Sequence, residues 1–504
     1  MAFHKIAIGV ILALALSTAA LQGVAAGASA TSAPSAQAQD VAQGSLYPRL
    51  DGRQGEQKVL VLLVEFPDLA HNLMISSIRN EFSRVASYFY TVSYGEIYLT
   101  VNVSQRWYMA NRSIGDYLSG GDGYNALRAF AEEAFAMADG DVDFSAYDSV
   151  VILHAGSSAQ FGGSSYTLDG LGIETGDGAT LECIMIDAEY DRWVLIAHEY
   201  CHALGLPDLY DYASYSSGSY FSFYAGPWDI MSNDYRYEES ALTSWNLIRL
   251  GWMPDRSVRT VMPSETAACN VNELGKLSGS RYGAIRIQLN DGTYYLVECR
   301  LPVRYDEKMP DFGVLITHVN ESIEPGYGPL RVIDSTPSTG TLDDAVFDLR
   351  AGKTAVFLDE ENDVSVVVLR LLSANGLGFT IEVTDYANGQ LALETAQFLL
   401  DAKDRVTSRF YVLDVFGERA AVEEAFDTYA TGDFQGAYKQ AQDAIGIYWL
   451  DVSIRIAVAV AVVAAVVLVA VFRKKVRELR RRIDKKIDPL KYPETLPDGR
   501  ADLR

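Results

Sequence analysis

Residues Ile456 to Phe472 form 17 consecutive apolar residues without Gly, Pro or charge. A helix of that length rises about 25 Å, the short limit for crossing the hydrocarbon of a bilayer. The run is apolar all round, whereas a core helix at this length usually keeps a polar stripe, so membrane insertion is the favoured reading over burial in a core. Tyr448 and Trp449 stand where an interfacial aromatic belt would lie, Arg455 can snorkel outward, and RKKVRELRRR follows at once. The positive-inside rule puts that basic run in the cytoplasm. The expected topology is therefore one span (454–472), a basic cytoplasmic tail (473–504) and an extracellular body held at the cell membrane.

The other terminus agrees. Lys5 supplies a positive start, Ile6 to Leu16 an apolar stretch, and Ala28-Ser29-Ala30 a small-residue cleavage site. Residues 1–30 read as a secretory signal peptide, with an uncleaved anchor as the alternative. Charge is divided in the same way. The chain carries 66 acidic and 42 basic residues, net -24. The tail from Arg473 holds 12 basic and 6 acidic residues, so the preceding body is net -30. So acidic a body excludes a nucleic-acid partner, which needs a basic face.

Within the body, Thr31 to Gln57 is rich in Ala, Ser, Gln and Gly and reads as a linker or short pro-segment. KVLVLLVEF (58–66) and SVVILH (149–154) predict buried strands. Ile78, Phe82, Val85 and Phe89 keep helical spacing, and Tyr124 to Met137 reads as a helix. Strands alternating with helices predict an α/β unit over 58–258. From 259 to 385 short alternating runs punctuated by Gly, Asp and Asn predict an antiparallel β-sandwich. Residues 386–453, poor in Gly and Pro, predict a helical stalk or hairpin leading to the span. Four cysteines, Cys183, Cys201, Cys269 and Cys299, suit an oxidising compartment. The local pairs Cys183–Cys201 and Cys269–Cys299 and four buried thiols both remain open.

The chemistry lies in DRWVLIAHEYCHALGLPDLYDY (191–212). His198 and His202 are four apart, so on a helix both imidazoles face one metal, and such a pair suits Zn²⁺. Glu199 is rotated by about 100° from His198, beside the metal rather than on it. There it can take a proton from a water that zinc acidifies. Asp191 is placed to cap the helix. Gly205 sits where the helix can end in a left-handed turn, and Asp208 follows as a third ligand, leaving a fourth position open as a catalytic zinc needs. Asp208 as an ordinary turn residue beside Pro207 is the plainer alternative.

HExxHxxGxxD followed by Gly226-Pro-Trp-Asp-Ile-Met231-Ser resembles the metzincin metalloproteases and their Met turn. More closely, the chain resembles the immune inhibitor A-like family of secreted zinc metallopeptidases. The matching segments are VLVLLVEFPD (59–68), ASYFYTVSYGEIYL (86–99), FSAYDSVVILHAG (144–156), HEYCHALGLPDLYD (198–211), GPWDIMS (226–232) and SWNLIRLGW (244–252). YYLVECR (294–300) and GVLITHVN (313–320) are similar to its later β domain. The resemblance implies a metzincin-like catalytic domain with endopeptidase activity on protein or peptide substrates. It implies zinc ligands His198, His202 and Asp208, general base Glu199 and structural Met231. Cys201 stands where the family commonly has Gly.

Other residues carry weaker signals. Tyr235 can stabilise an oxyanion or simply pack. His154 ends a buried strand and His318 lies in a β run, and both suit structural roles. DGLGIETGDG (169–178) offers oxygens of the kind a structural Ca²⁺ takes, without the spacing of a known Ca²⁺ loop. The functional expectation is a membrane-anchored extracellular zinc endopeptidase. The alternative is a non-catalytic zinc-containing surface or adhesion module, for which Glu199 and an open metal position would have no use.

Overall fold

The first strand, β1 (Gly55–Glu65), has apolar residues on both faces because both are covered. Val59, Val61 and Leu63 join one core, and Leu60, Leu62 and Val64 join a second on the opposite side. These contacts come from a computed structural model, which describes residues 45–50, 54–118, 123–158, 166–213, 224–232, 236, 239–277, 281–348, 355–372, 378–407 and 417–487. The expected signal peptide (1–30) and Tyr235 lie outside the described residues.

β1 pairs in parallel with β2 (Ile97–Val103) on one side and β4 (Ser149–His154) on the other. β6 (Thr180–Ala188) pairs in parallel with β4, and β5 (Tyr166–Glu174) runs antiparallel along β6. The short β3 (Tyr108–Met109) pairs with the end of β1, completing a six-stranded sheet of order β2-β1-β4-β6-β5. Helix α1 (Ile75–Val92) packs its Ile78, Phe82, Val85 and Phe89 stripe on the first face. Past the short helix α2 (Ile114–Leu118), α3 (Gly123–Ala138) covers the second face with Phe130, Ala134 and Phe135. The first face also receives α4 (Trp193–Ala203), which carries the HExxH motif, and α5 (Ser244–Arg249). Each fully buried Val, Leu or Phe stabilises by about 1.5–3 kcal/mol, so this layered burial fixes where α4 lies.

Two further sheets follow. One has the order β12-β11-β10-β9-β7, built from β7 (Val258–Val261), β9 (Ala284–Gln288), β10 (Tyr294–Arg300), β11 (Gly313–Val319) and β12 (Leu330–Val332). The other has the order β13-β14-β15-β8, built from β8 (Ala267–Asn272), β13 (Val356–Asp359), β14 (Val364–Leu372) and β15 (Gly378–Thr384). A single core cluster draws on both, for example Val297 and Ile316 with Val366 and Ile381. The expected antiparallel pattern holds except for β7 and β9, which pair in parallel because the chain crosses to β8 between them. Alternation along β10 divides its side chains. Tyr295, Val297 and Cys299 enter the core shared by the two sheets, whereas Tyr294 and Leu296 enter the core that also holds α4.

From Tyr386 onward the described residues form three helices. α6 (Tyr386–Thr407), α7 (Glu418–Tyr429) and the start of α8 (Phe434–Ile487) bury Ala392, Leu399, Ala425 and Ala437 against Val356 and Val367. α8 then continues into the exposed apolar run and is long and apolar enough to cross a membrane. Arg455 pairs with Asp451 at 2.6 Å one turn before that run.

The cysteines correct one expectation. All four are buried and none is in a disulfide. Each fills an apolar site, and burial pushes the Cys201 and Cys299 thiols well above their ordinary pKa, suppressing the thiolate that disulfide exchange requires.

Candidate metal centre

Helix α4 begins differently from the local reading. Arg192 occupies the cap position, and its side chain makes no capping hydrogen bond. Asp191 instead accepts the Ala188 N–H at 2.7 Å, closing the turn from β6. The orphan Trp193 N–H donates to Glu81 Oε2 of α1 at 3.2 Å. A carboxylate does sit at the helix N-terminus, but it comes from a neighbouring helix.

At the other end the Leu206 N–H donates to the Cys201 carbonyl at 3.0 Å, and the Gly205 N–H to the His202 carbonyl at 2.8 Å. Gly205 has φ +91°, the left-handed conformation that lets the chain turn back and present Asp208. A Cβ there would lie 3.0 Å from Leu50 Cδ2. Gly205→Ala is expected to destabilise the chain by about 1–2 kcal/mol, read as a lower denaturant midpoint. An unchanged midpoint would show that the turn tolerates a side chain.

His198 Nδ1 lies 2.9 Å from the Ile230 carbonyl and His202 Nδ1 lies 2.8 Å from the Leu206 carbonyl. A carbonyl only accepts, so both Nδ1 atoms carry the proton and both Nε2 atoms keep a lone pair in the neutral rings. Those Nε2 atoms each lie 3.2 Å from Asp208 Oδ1. Asp208 is 8% exposed, and its buried Oδ1 faces the two imidazole nitrogens. Ligand atoms of His198, His202 and Asp208 all fall within 4.8 Å of one another. With both rings neutral, three electron-rich atoms converge on one point, an arrangement that fits a cation. Two imidazoles and one carboxylate are donors that a divalent cation such as Zn²⁺ accepts.

The electrostatics agree. Burial alone would lower the His202 pKa, but Asp208, with Glu199 and the Leu206 carbonyl, outweighs it and holds the imidazole at about 9. Burial would likewise raise Asp208, but the two imidazoles hold its carboxyl well below the usual range. Without a metal, a proton supplies the positive charge, and a metal must displace it.

Glu199 lies beside this group and outside the converging set. The Thr167 hydroxyl lies 3.0 Å from Glu199 Oε2 and 2.9 Å from the Glu199 backbone carbonyl oxygen, shared between the two acceptors, and Thr167 belongs to β5 at the end of the sheet order. Met231 is fully buried in a short 3₁₀ turn, Ile230–Ser232. This turn touches both ligand-bearing segments. Ile230 accepts from His198, and the Met231 carbonyl accepts the Leu209 N–H at 2.8 Å, next to Asp208.

Several residues that support the site escaped the sequence reading. Asp229 Oδ1 accepts the Met231 N–H at 2.8 Å, and its Oδ2 accepts from the Thr243 N–H, the Thr243 hydroxyl and Asn246 Nδ2 at 2.7–2.9 Å. Burial raises the pKa of this carboxyl, and those donors oppose the rise. Arg300, 1% exposed, donates to the Trp228 carbonyl at 2.7 Å, to Glu298 Oε1 at 3.0 Å and through both prongs to Asp306 at 2.7 Å. Glu298 in turn accepts the Ser244 N–H at 2.7 Å, at the start of α5. The sequence signal was a Glu and an Arg alternating with apolar residues inside YYLVECR. Tyr212, also unremarked, donates to Asp208 Oδ2 at 2.9 Å.

The remaining expectations fall away from the metal. His154 is buried with Nδ1 2.8 Å from the Ala155 carbonyl, and burial lowers its pKa. His318 Nε2 lies 3.1 Å from Thr293 Oγ1 on the second sheet. In the 169–178 stretch, Asp177 is engaged by the Phe144 and Ala179 N–H groups and the Thr175 hydroxyl. No family model matches the chain, and no curated protein is significantly similar to it.

Proposed function

We propose that this chain is a membrane-anchored zinc endopeptidase of metzincin type. Its body would lie outside the cell and its basic tail inside. The observation carrying this reading is the convergence of His198 Nε2, His202 Nε2 and Asp208 Oδ1, with Glu199 adjacent but not part of the set. A structural zinc would have no use for a carboxylate held beside the metal. When bound, zinc supplies Lewis acidity, polarising a scissile carbonyl and making water a stronger acid.

The protein does the rest. Thr167 orients Glu199, which takes a proton from the attacking water and returns it to the leaving amine. Among the described residues β5 has no strand beyond it, and a substrate peptide in extended form fits along that edge, next to Glu199. The two later sheets, read as a sandwich, brace the catalytic unit, and the helical layer joins it to the span.

The test is cleavage of casein and a peptide library by the detergent-solubilised chain. Activity should vanish with a zinc chelator and return with Zn²⁺, at one zinc per chain. A chain that binds one zinc yet cleaves nothing would favour the adhesion-module reading.

A further inference from the structure

A carboxylate is held facing a metal with one oxygen when a hydrogen bond engages the other. Asp208 Oδ2 accepts from Tyr212, and Tyr212 is itself held from a distant part of the chain. The Tyr212 N–H donates to the Gly326 carbonyl at 3.2 Å. Gly326 has φ +77°, and a Cβ there would lie 2.2 Å from Tyr212 Cδ2, so the ring rests directly on the glycine backbone. Gly326 belongs to the loop 320–328 between β11 and β12.

That loop is anchored independently. Asn320 donates its N–H to the Pro329 carbonyl at 2.8 Å. Glu321 Oε1 accepts from the Tyr294 hydroxyl at 2.7 Å and from Trp245 Nε1 at 3.3 Å. The segment preceding β1 grips it as well. Leu46 donates its N–H to the Glu321 carbonyl at 2.9 Å, and the Tyr47 hydroxyl donates to the Ile323 carbonyl at 2.7 Å. The ring of Tyr47 packs edge-on against Trp245 at 5.2 Å.

We propose that loop 320–328, acting through Tyr212, is a positioning arm for the third metal ligand: the second sheet sets how Asp208 faces the metal and so how tightly the metal is held. Tyr212 is a positioning residue, because it touches the carboxylate and none of the reacting atoms. A hydrogen bond to one carboxylate oxygen leaves the other aimed at the metal, and removing such an outer partner typically costs about 10–100-fold in metal affinity. The proposal rests on the metal-centre reading above and extends it to residues more than a hundred positions away.

The test uses the detergent-solubilised full chain and Zn²⁺ affinity by chelator competition, with the visible spectrum of the Co²⁺-substituted protein as a second readout. Tyr212→Phe keeps the ring on Gly326 and removes only the hydroxyl. It should weaken Zn²⁺ binding about 10–100-fold and alter the Co²⁺ spectrum. Gly326→Ala touches no ligand atom, yet it should produce a similar loss by displacing the ring. Combining the two should add little, because both remove one interaction. Should Gly326→Ala fail to fold, Tyr212→Phe decides alone. A Tyr212→Phe chain with wild-type Zn²⁺ affinity and an unchanged Co²⁺ spectrum overturns the positioning arm and leaves the metal centre standing. A wild-type chain that takes up no zinc overturns the metal centre itself.

Discussion

Replacing Glu199 with Gln is expected to leave Zn²⁺ binding intact and to lower peptide hydrolysis by about 10²–10⁴-fold, the range for loss of a positioned general base. The two halves of that result have separate causes. Metal retention follows because Glu199 is not among the converging atoms of His198, His202 and Asp208. Loss of turnover follows because an amide of the same shape accepts no proton at neutral pH, although it can still meet the Thr167 hydroxyl. Reduced zinc occupancy would place Glu199 among the ligands, and undiminished hydrolysis would remove it as the base. Metal content and kcat/KM, measured on one preparation, separate these outcomes.

The readable part of this site was its local part. An i, i+4 histidine pair and a glycine that ends a helix are statements about a dozen consecutive residues, and helix geometry alone brings them together. The buried strand β1 was legible for a similar reason, since apolar residues on both faces imply cover on both sides. What stayed hidden depends on partners far along the chain. Asp191 has the composition of an N-cap, yet the donor at the start of α4 goes to Glu81, over a hundred residues earlier. Tyr212 looks like one tyrosine among 30, and only the loop at Gly326 gives it a task. The cysteines show the same limit. The sequence left a disulfide framework and buried thiols both open, and each cysteine occupies a packed apolar site without forming a disulfide.

The charges of β10 lead to the largest expected effect on stability. Tyr294 and Leu296 face the core that holds α4, and two and four residues further along the strand Glu298 and Arg300 are both buried. Arg300 reaches the Trp228 carbonyl, immediately before Asp229, whose carboxylate holds the Met231 N–H. Glu298 holds the first N–H of α5, whose Asn246 returns to Asp229. The network therefore closes on the turn that orients His198 through the Ile230 carbonyl. Arg300→Met would strand Glu298 and Asp306 in the interior without their cation. Breaking a buried ion pair from one side costs about 3–5 kcal/mol, far above the effect of an exposed pair such as Arg49–Asp255. Lys at position 300 should rescue little, because one ammonium cannot grip Asp306 through two prongs while also serving Glu298 and Trp228. Denaturant unfolding of the three proteins measures the loss, and Zn²⁺ affinity on the same samples reports whether the turn has moved. A cost below about 1 kcal/mol for Arg300→Met would mean that the cluster is solvated and does not brace the turn.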